Sequence, residues 1–260
     1  MTKSNFLVLA VGLAAFASVP AYAATPISGS MNLTAFSSIA GGTVLNKTDH
    51  ASGSYAGATV PMGIFALANI NDGVTGGSII VHGQAQSSGT ADAGTVHFQD
   101  YGWSFNAPNP ADAGQSASLN NHSGGPDWAY TFKADGNGTL SMTYDSFVTL
   151  DNGVVFGLQG WDIGWSGTGG GLLLANATNP TANGTFTRGI IAGQTYTLSL
   201  SNNTNISTGG NLSGGAAMSG NFNYTIAEAA VPEAATWTLM IAGFLGVGVT
   251  MRRRQAMSLA

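Results

Sequence analysis

Between Ala24 and Ala227 the chain contains no glutamate, and its only basic residues are Lys47, Lys133 and Arg188. Exposed helices are built largely from Glu, Lys, Arg and Gln, which keep a charged face toward water while the apolar stripe is buried. A stretch this poor in those residues has no material for such faces. It is rich instead in Thr, Val, Tyr and Phe, which suit pleated strands, and in Gly and Asn, which suit turns. The expected fold class is therefore all-β, with helix confined to the two ends.

Period-two patterning supports this. Tyr101, Trp103 and Phe105 fall on one strand face, as do Trp128, Tyr130 and Phe132, and Leu140, Met142 and Tyr144. Further on, Tyr196, Leu198 and Leu200 alternate with Thr and Ser, and Met218, Phe222, Tyr224 and Ile226 alternate with small polar residues. Such alternation is the mark of half-buried antiparallel strands. Val96 and Phe98 stand in even phase and Tyr101 to Phe105 in odd phase, which predicts a bulge or tight bend at Gln99-Asp100. Asp135-Gly136-Asn137-Gly138, Asp151-Asn152-Gly153 and Ala192-Gly193-Gln194 separate strand-like runs and read as hairpin connections. Pro108 to Pro126 is polar and too long for a hairpin loop, so it reads as a surface excursion.

Two-faced strands without helices bury themselves in a sandwich or a barrel. The expectation is one antiparallel β-sandwich, jelly-roll-like, of about eight to twelve strands over residues 24–230. A transmembrane barrel is the competing all-β architecture, but it conflicts with an apolar C-terminal helix and lacks a regular lipid-facing band.

Composition narrows function. The 260 residues are 7% charged and include 38 Gly, 26 Thr, 24 Ser and 20 Asn, so neutral polar groups do most of the solvating. Three Lys and four Arg cannot neutralise a run of phosphates, which excludes electrostatic nucleic-acid binding. With no cysteine there is no disulfide, thiol catalysis or Cys-based zinc site, and no cofactor motif is present.

The ends carry addresses. Lys3 precedes the apolar run Phe6 to Val19, followed by Pro20 and by Ala21-Tyr22-Ala23, the three parts of a secretory signal peptide. Cleavage is expected after Ala23, by signal peptidase following passage through the secretion machinery. At the other end Val231-Pro232-Glu233-Ala234-Ala235-Thr236-Trp237 leads into an apolar run that stops at Arg252-Arg253-Arg254. The 18 uncharged residues from Ala234 to Met251 would reach about 27 Å as a helix. A single-pass helix is expected, with Trp237 at the outer interface and the arginines and residues 255–260 in the cytoplasm.

This tail resembles the PEP-CTERM sorting signal of Gram-negative bacteria, in its Trp-containing form. Residues 231–254 match its three parts in order and spacing, except that Ala234 replaces the second Pro and Thr238 replaces an Ala. The resemblance implies that an exosortase-like enzyme recognises Val231, Pro232, Glu233, Trp237 and Arg252, Arg253 and Arg254. It also implies transit through the inner membrane to the cell surface or extracellular matrix. Proteins with such tails carry varied domains, so the tail leaves the role of the body open.

No chemistry-bearing constellation stands out in the body. His50, His82, His97 and His122 lie on separate segments without zinc spacing. Gly164-Trp165-Ser166-Gly167-Thr168 lacks the final Gly of a nucleophile elbow and has no helix after it. Among ten aspartates Asp145 and Asp162 sit inside strands, but most of the others sit in turns, and a glycosidase needs an opposed pair. Asp135, Asn137 and Thr139 offer oxygens at alternate positions, a weak calcium candidate overshadowed by the turn they also spell. Trp161 and Trp165 share a strand face with Ile163, beside Asp162. That face is either core, which is favoured, or a platform for stacking on sugars. The sequence thus reads as an exported, non-enzymatic surface or matrix protein. The alternatives are a carbohydrate-binding or, less well supported, carbohydrate-cleaving module using Trp161, Asp162 and Trp165, and a self-assembling surface protein.

Overall fold

A computed structural model describes residues 23–40, 44–56, 66–71, 78–106, 116–119, 126–150, 155–156, 160–166, 172–175, 179–202, 204–207, 213–229 and 240–244. The chain is predominantly β, in two antiparallel sheets. Its strands are β1 (Ala24–Ala40), β2 (Val44–Ala56), β3 (Ala66–Asn71), β4 (Ser78–Gly89), β5 (Ala93–Asn106), β6 (Ser116–Leu119), β7 (Trp128–Ala134) and β8 (Gly138–Leu150). They continue as β9 (Val155–Phe156), β10 (Trp161–Trp165), β11 (Leu172–Leu173), β12 (Thr181–Ile190), β13 (Thr195–Asn202), β14 (Thr204–Ser207) and β15 (Ser213–Glu228). Fifteen described strands exceed the eight to twelve expected. The excess comes largely from short pairings of two to five residues that carry no aromatic alternation, such as β9, β11 and β14.

Among the described residues the first sheet has nine strands, organised around β1. A strand has two edges, and β1 pairs with β2 along Ser28 to Ala40. Its other edge is shared end to end, by β7 from Ala24 to Met31 and by β6 from Ala35 to Ser38. Beyond β7 lie β13, β10 and β11, and beyond β6 lie β14 and β9. The second sheet has six described strands in the order β12-β8-β15-β5-β4-β3.

The phase change at Gln99-Asp100 is a bulge, as the alternation predicts. Tyr101 and Phe98 oppose Met218 and Gly220 on β15, and Gly102 and Gln99 oppose His82 and Gln84 on β4. Both neighbours see one extra residue on β5, so both sets of its side chains reach the same core. By contrast, two of the three expected hairpins are crossings between sheets. β7 belongs to the first sheet and β8 to the second, so Asp135 to Asn137 forms an arch, and Ala192 to Gln194 does the same between β12 and β13. Asp151-Asn152-Gly153 lies outside the described residues, as does most of Pro108 to Pro126.

The core is aromatic and spans both sheets. Trp161 of β10 packs on Phe98 at 4.4 Å and on Tyr101 and Phe222 at 5.3 and 5.8 Å between ring centroids. A second group runs from Trp128 and Tyr130 to Phe132 on β7, meeting Tyr224 across the gap. Trp165 stacks on Tyr196 at 4.9 Å with the rings 15° apart. Met31, Leu33 and Ala35 complete the floor beneath them. Burying side chains of this size removes enough apolar surface to stabilise by about 1.5–3 kcal/mol each, before conformational entropy is charged against it.

Of the expected C-terminal helix, residues 240–244 are described and are helical, with Met240, Ile241 and Phe244 exposed. No described helix is long and apolar enough to cross a membrane, and the rest of that segment lies outside the described residues. The sorting residues Val231, Pro232, Glu233, Trp237 and Arg252 to Arg254 lie there too, as does the signal segment up to Tyr22.

Candidate functional site

The outer face of the second sheet is tiled with hydrogen-bonding groups, nearly all of them without a carboxylate or a basic side chain. Directly paired residues share a face, so register alone places Asn183, Asp145, Asn221, His97 and Gln86 in one row across β12, β8, β15, β5 and β4. Two residues along, Thr185, Thr143, Asn223, Thr95 and Ser88 form a parallel row. With strands about 4.8 Å apart, each row spans about 19 Å. His97 and Thr95 are half-buried and the other eight are exposed.

Cross-strand hydrogen bonds hold part of this surface in order. Thr95 Oγ1 donates to Asn223 Oδ1 at 2.8 Å, and His97 Nδ1 lies 2.6 Å from Asn221 Oδ1. An amide oxygen can only accept, so Nδ1 is the donor in this pair. Asp145 is the one acid in either row. The surface can donate to and accept from hydroxyls and amides, and has little charge to attract an ionic partner.

The candidate sugar platform is not on the surface. Trp161 is 0% and Trp165 8% exposed, both turned into the core by the Trp-Asp-Ile-Gly-Trp alternation, with half-buried Asp162 on the opposite side of the strand. Their rings are spent on protein contacts, which corrects the stacking alternative in favour of core. Asp162 and Asp145 sit on the outer faces of different sheets, and sheets pack about 10 Å apart. Two carboxyls so placed cannot close on one glycosidic bond. Ser166 follows a strand and leads into no described helix, and its Oγ accepts from Thr197 N at 2.6 Å.

The calcium candidate is a structural corner. Asp135 accepts from Thr25 Oγ1 at 2.8 and 3.0 Å, and Asn137 Oδ1 accepts from Ala192 N at 2.9 Å. Asn137 O also accepts from Ala229 N, and Gly193 N donates to Ala134 O. The two arches are thus braced against one another, and the Asp135 and Asn137 oxygens of the candidate already serve protein donors. Thr139 is exposed on β8. Among the described residues no three His, Asp or Glu stand close enough to hold a metal ion.

Two features escaped sequence reasoning. Thr90, Ala91 and Asp92, the turn joining β4 to β5, are clamped by both sheets: Tyr224 OH donates to Thr90 O at 2.9 Å and Tyr130 OH to Ala91 O at 2.8 Å. Burial, with the Asp92 charge nearby, pushes the Tyr224 hydroxyl up to about 12. The Asp92 carboxyl is itself raised, mainly by burial and further by Asp135, against the lowering effect of the Ala24 and Ala23 amides. The other feature is Asp127, 2% exposed, whose Oδ2 accepts from Asn202 N at 2.6 Å while its carbonyl accepts from Asn32 N. An Asp just before a strand has turn chemistry as its sequence signal, but nothing in the sequence pairs Asp127 with Asn202.

No protein-family model matches this chain, and no curated protein matches it in sequence.

Proposed function

We propose that this is an exported, non-enzymatic protein of the cell surface or extracellular matrix, built on a jelly-roll-like sandwich and delivered through its PEP-CTERM-like tail. The signal segment and the Val-Pro-Glu, apolar and triple-Arg order of the tail support export and sorting. The two arch crossings support the jelly-roll assignment, since such folds repeatedly pass the chain between sheets. On this reading the secretion machinery, signal peptidase and an exosortase-like enzyme are its processing partners. A hydrated, largely neutral extracellular polysaccharide is its working partner.

The observation that carries the role of the body is the double row on the outer face of the second sheet. Ten side chains in register offer hydroxyl, amide, imidazole and one carboxylate groups, a chemistry matched to polymer hydroxyls and poorly matched to anionic partners. The test is retention of the exported protein on immobilised polysaccharide from the producing cells. Retention that disappears in Asn223→Glu/Thr143→Glu, with unchanged melting, is the expected result. Absence of retention by the parent protein overturns the adhesive role. Removal of residues 231–254 should release the protein into the periplasm or medium, and unchanged surface attachment would refute sorting by the tail.

One observation favours self-assembly as a second reading. Among the described residues β12 pairs with β8 on one side and ends the second sheet on the other, over ten residues whose single charge is Arg188. A long, weakly charged edge is a template for strand addition. Light scattering that rises with concentration and persists in high salt would support it.

A further inference from the structure

The first strand begins at the residue that the export leader is expected to leave as the new N-terminus. Ala24 is 1% exposed, is paired with Ala134, and its backbone N donates to Asp92 Oδ1 at 2.9 Å. We propose that Asp92 is a built receptor for the α-ammonium group of Ala24, so that removal of the leader completes the fold by an ion pair at this pole. The inference rests on the reading of residues 1–23 as a cleaved leader.

The receptor is held from three directions. Tyr130 from the first sheet and Tyr224 from the second grip the two carbonyls before Asp92, and the Asp92 carbonyl accepts from Ile226 N at 2.6 Å. The backbone that carries the carboxylate is thus held in place from both sheets. The ionisable surroundings of that carboxyl are Asp135 from the arch, whose charge disfavours that of Asp92, and the Tyr224 hydroxyl from β15, which the Asp92 charge and burial keep protonated. Among the described residues no basic side chain is bonded to it. The uncut chain therefore presents a partly buried acid answered by neutral amides, an arrangement that costs free energy.

Cleavage changes that balance. Water adds across the Ala23–Ala24 bond: the C–N bond breaks, a C–O bond forms, Ala23 leaves as a carboxylate, and the Ala24 nitrogen becomes an amine that is protonated at neutral pH. The positive charge arises 2.9 Å from Asp92, turning a neutral donor into a charge-assisted one. Two contacts are lost: the Ala23 amide no longer donates to Asp92, where the new ammonium takes over as donor, and Asp135 N loses Ala23 O at 3.1 Å, an acceptor that water can replace because Asp135 is exposed. The geometry also orders events. In the finished fold Ala23 is 6% exposed and the scissile bond lies inside the pole, so peptidase must cut before β1 docks.

The two forms should respond to pH in opposite senses. In the uncut chain the raised Asp92 carboxyl means that the fold gains stability as pH falls through that value. In the cut chain the ammonium draws the carboxyl down and is itself held up. Stability is then lost as pH falls through the Asp92 value and lost again as pH rises through the raised amine value.

The test uses the full-length chain exported by a Gram-negative cell. Mass spectrometry of the product reads its N-terminus, and a start at Ala24 is expected; any other start overturns the cleavage reading and the receptor with it. The folded product is then reacted with an amine-acylating reagent across pH, with α-amine modification located by peptide mapping. Because Ala24 is buried, the readout is the pH midpoint of modification rather than its rate, and in the folded protein that midpoint should lie about one unit above that of the denatured protein. Asp92→Asn should return that midpoint to the denatured value. A start at Ala24 with an ordinary amine titration in the folded parent protein overturns the receptor while leaving the leader intact, and that readout stands even if the variant does not fold.

Discussion

At the residue scale, the core aromatics decide stability and the polar atoms attached to them decide how it responds to conditions. Trp161 is wholly buried among Phe98, Tyr101 and Phe222, yet its indole N–H has no hydrogen-bond partner among the described residues. Trp161→Ala should therefore cost about 3–5 kcal/mol through the cavity it leaves. Trp161→Phe should cost much less, because it keeps a ring while removing an unsatisfied donor worth about 1–3 kcal/mol when buried. Denaturant melts of the two variants check the ordering, and equal losses would contradict it. Tyr224 makes a pH prediction. Its pKa is raised to about 12 from 10.0, so the folded state holds the proton more tightly than the unfolded state. Stability from this group is complete below pH 10 and is lost as pH rises toward 12, by about 3 kcal/mol in all. Tyr224→Phe should flatten that alkaline loss at the expense of the bond to Thr90 O, about 1 kcal/mol at neutral pH.

At the scale of elements, the arches are the feature on which the architecture turns. Gly193 has φ +79°, a left-handed conformation, with open space where a Cβ would stand. Gly193→Ala should thus cost only the backbone strain, about 1–2 kcal/mol, with no packing loss. Asn137→Ala removes the acceptor of Ala192 N and should cost a similar amount. In the double variant the losses should fall short of additive, because both residues brace the same pair of arches; thermal melts of the three variants measure this. The same elements mark how far sequence reading reaches. Strand existence, inward faces and the Gln99-Asp100 bulge were legible because alternation is a local property of the chain. Asp-Gly-Asn-Gly says that the chain turns, but whether it returns to its own sheet depends on partners as distant as Ala23, Ala192 and Ala229. The inward faces of β1, such as Met31, Leu33 and Ala35, carry no aromatic signal and emerged only with the fold. The outer rows were likewise illegible, because Asn183, Asp145, Asn221, His97 and Gln86 are scattered in sequence and are joined only by register.

At the scale of the molecule, low charge ceases to be an oddity of composition and becomes a statement about partners. Of seven basic residues, Lys3 and Arg252 to Arg254 stand in the end segments, leaving a body with three cations and ten aspartates. A surface of this kind has no positive field with which to gather an anionic polymer, and on the proposed reading its neutral polymer is held by short-range hydrogen bonds. Ionic strength separates these cases. Between about 0.1 M and 1 M salt the screening length falls from about 10 Å to about 3 Å, which abolishes most attraction between exposed charges but leaves direct hydrogen bonds largely intact. Retention of the exported protein on neutral polysaccharide should accordingly change little over that range. Asp145→Asn, which removes the one acid from the two rows, should leave that salt response unaltered, because the acid is not the source of attachment. If retention instead collapses as salt rises, the attachment is ionic and the outer face of the second sheet is not what holds the polymer.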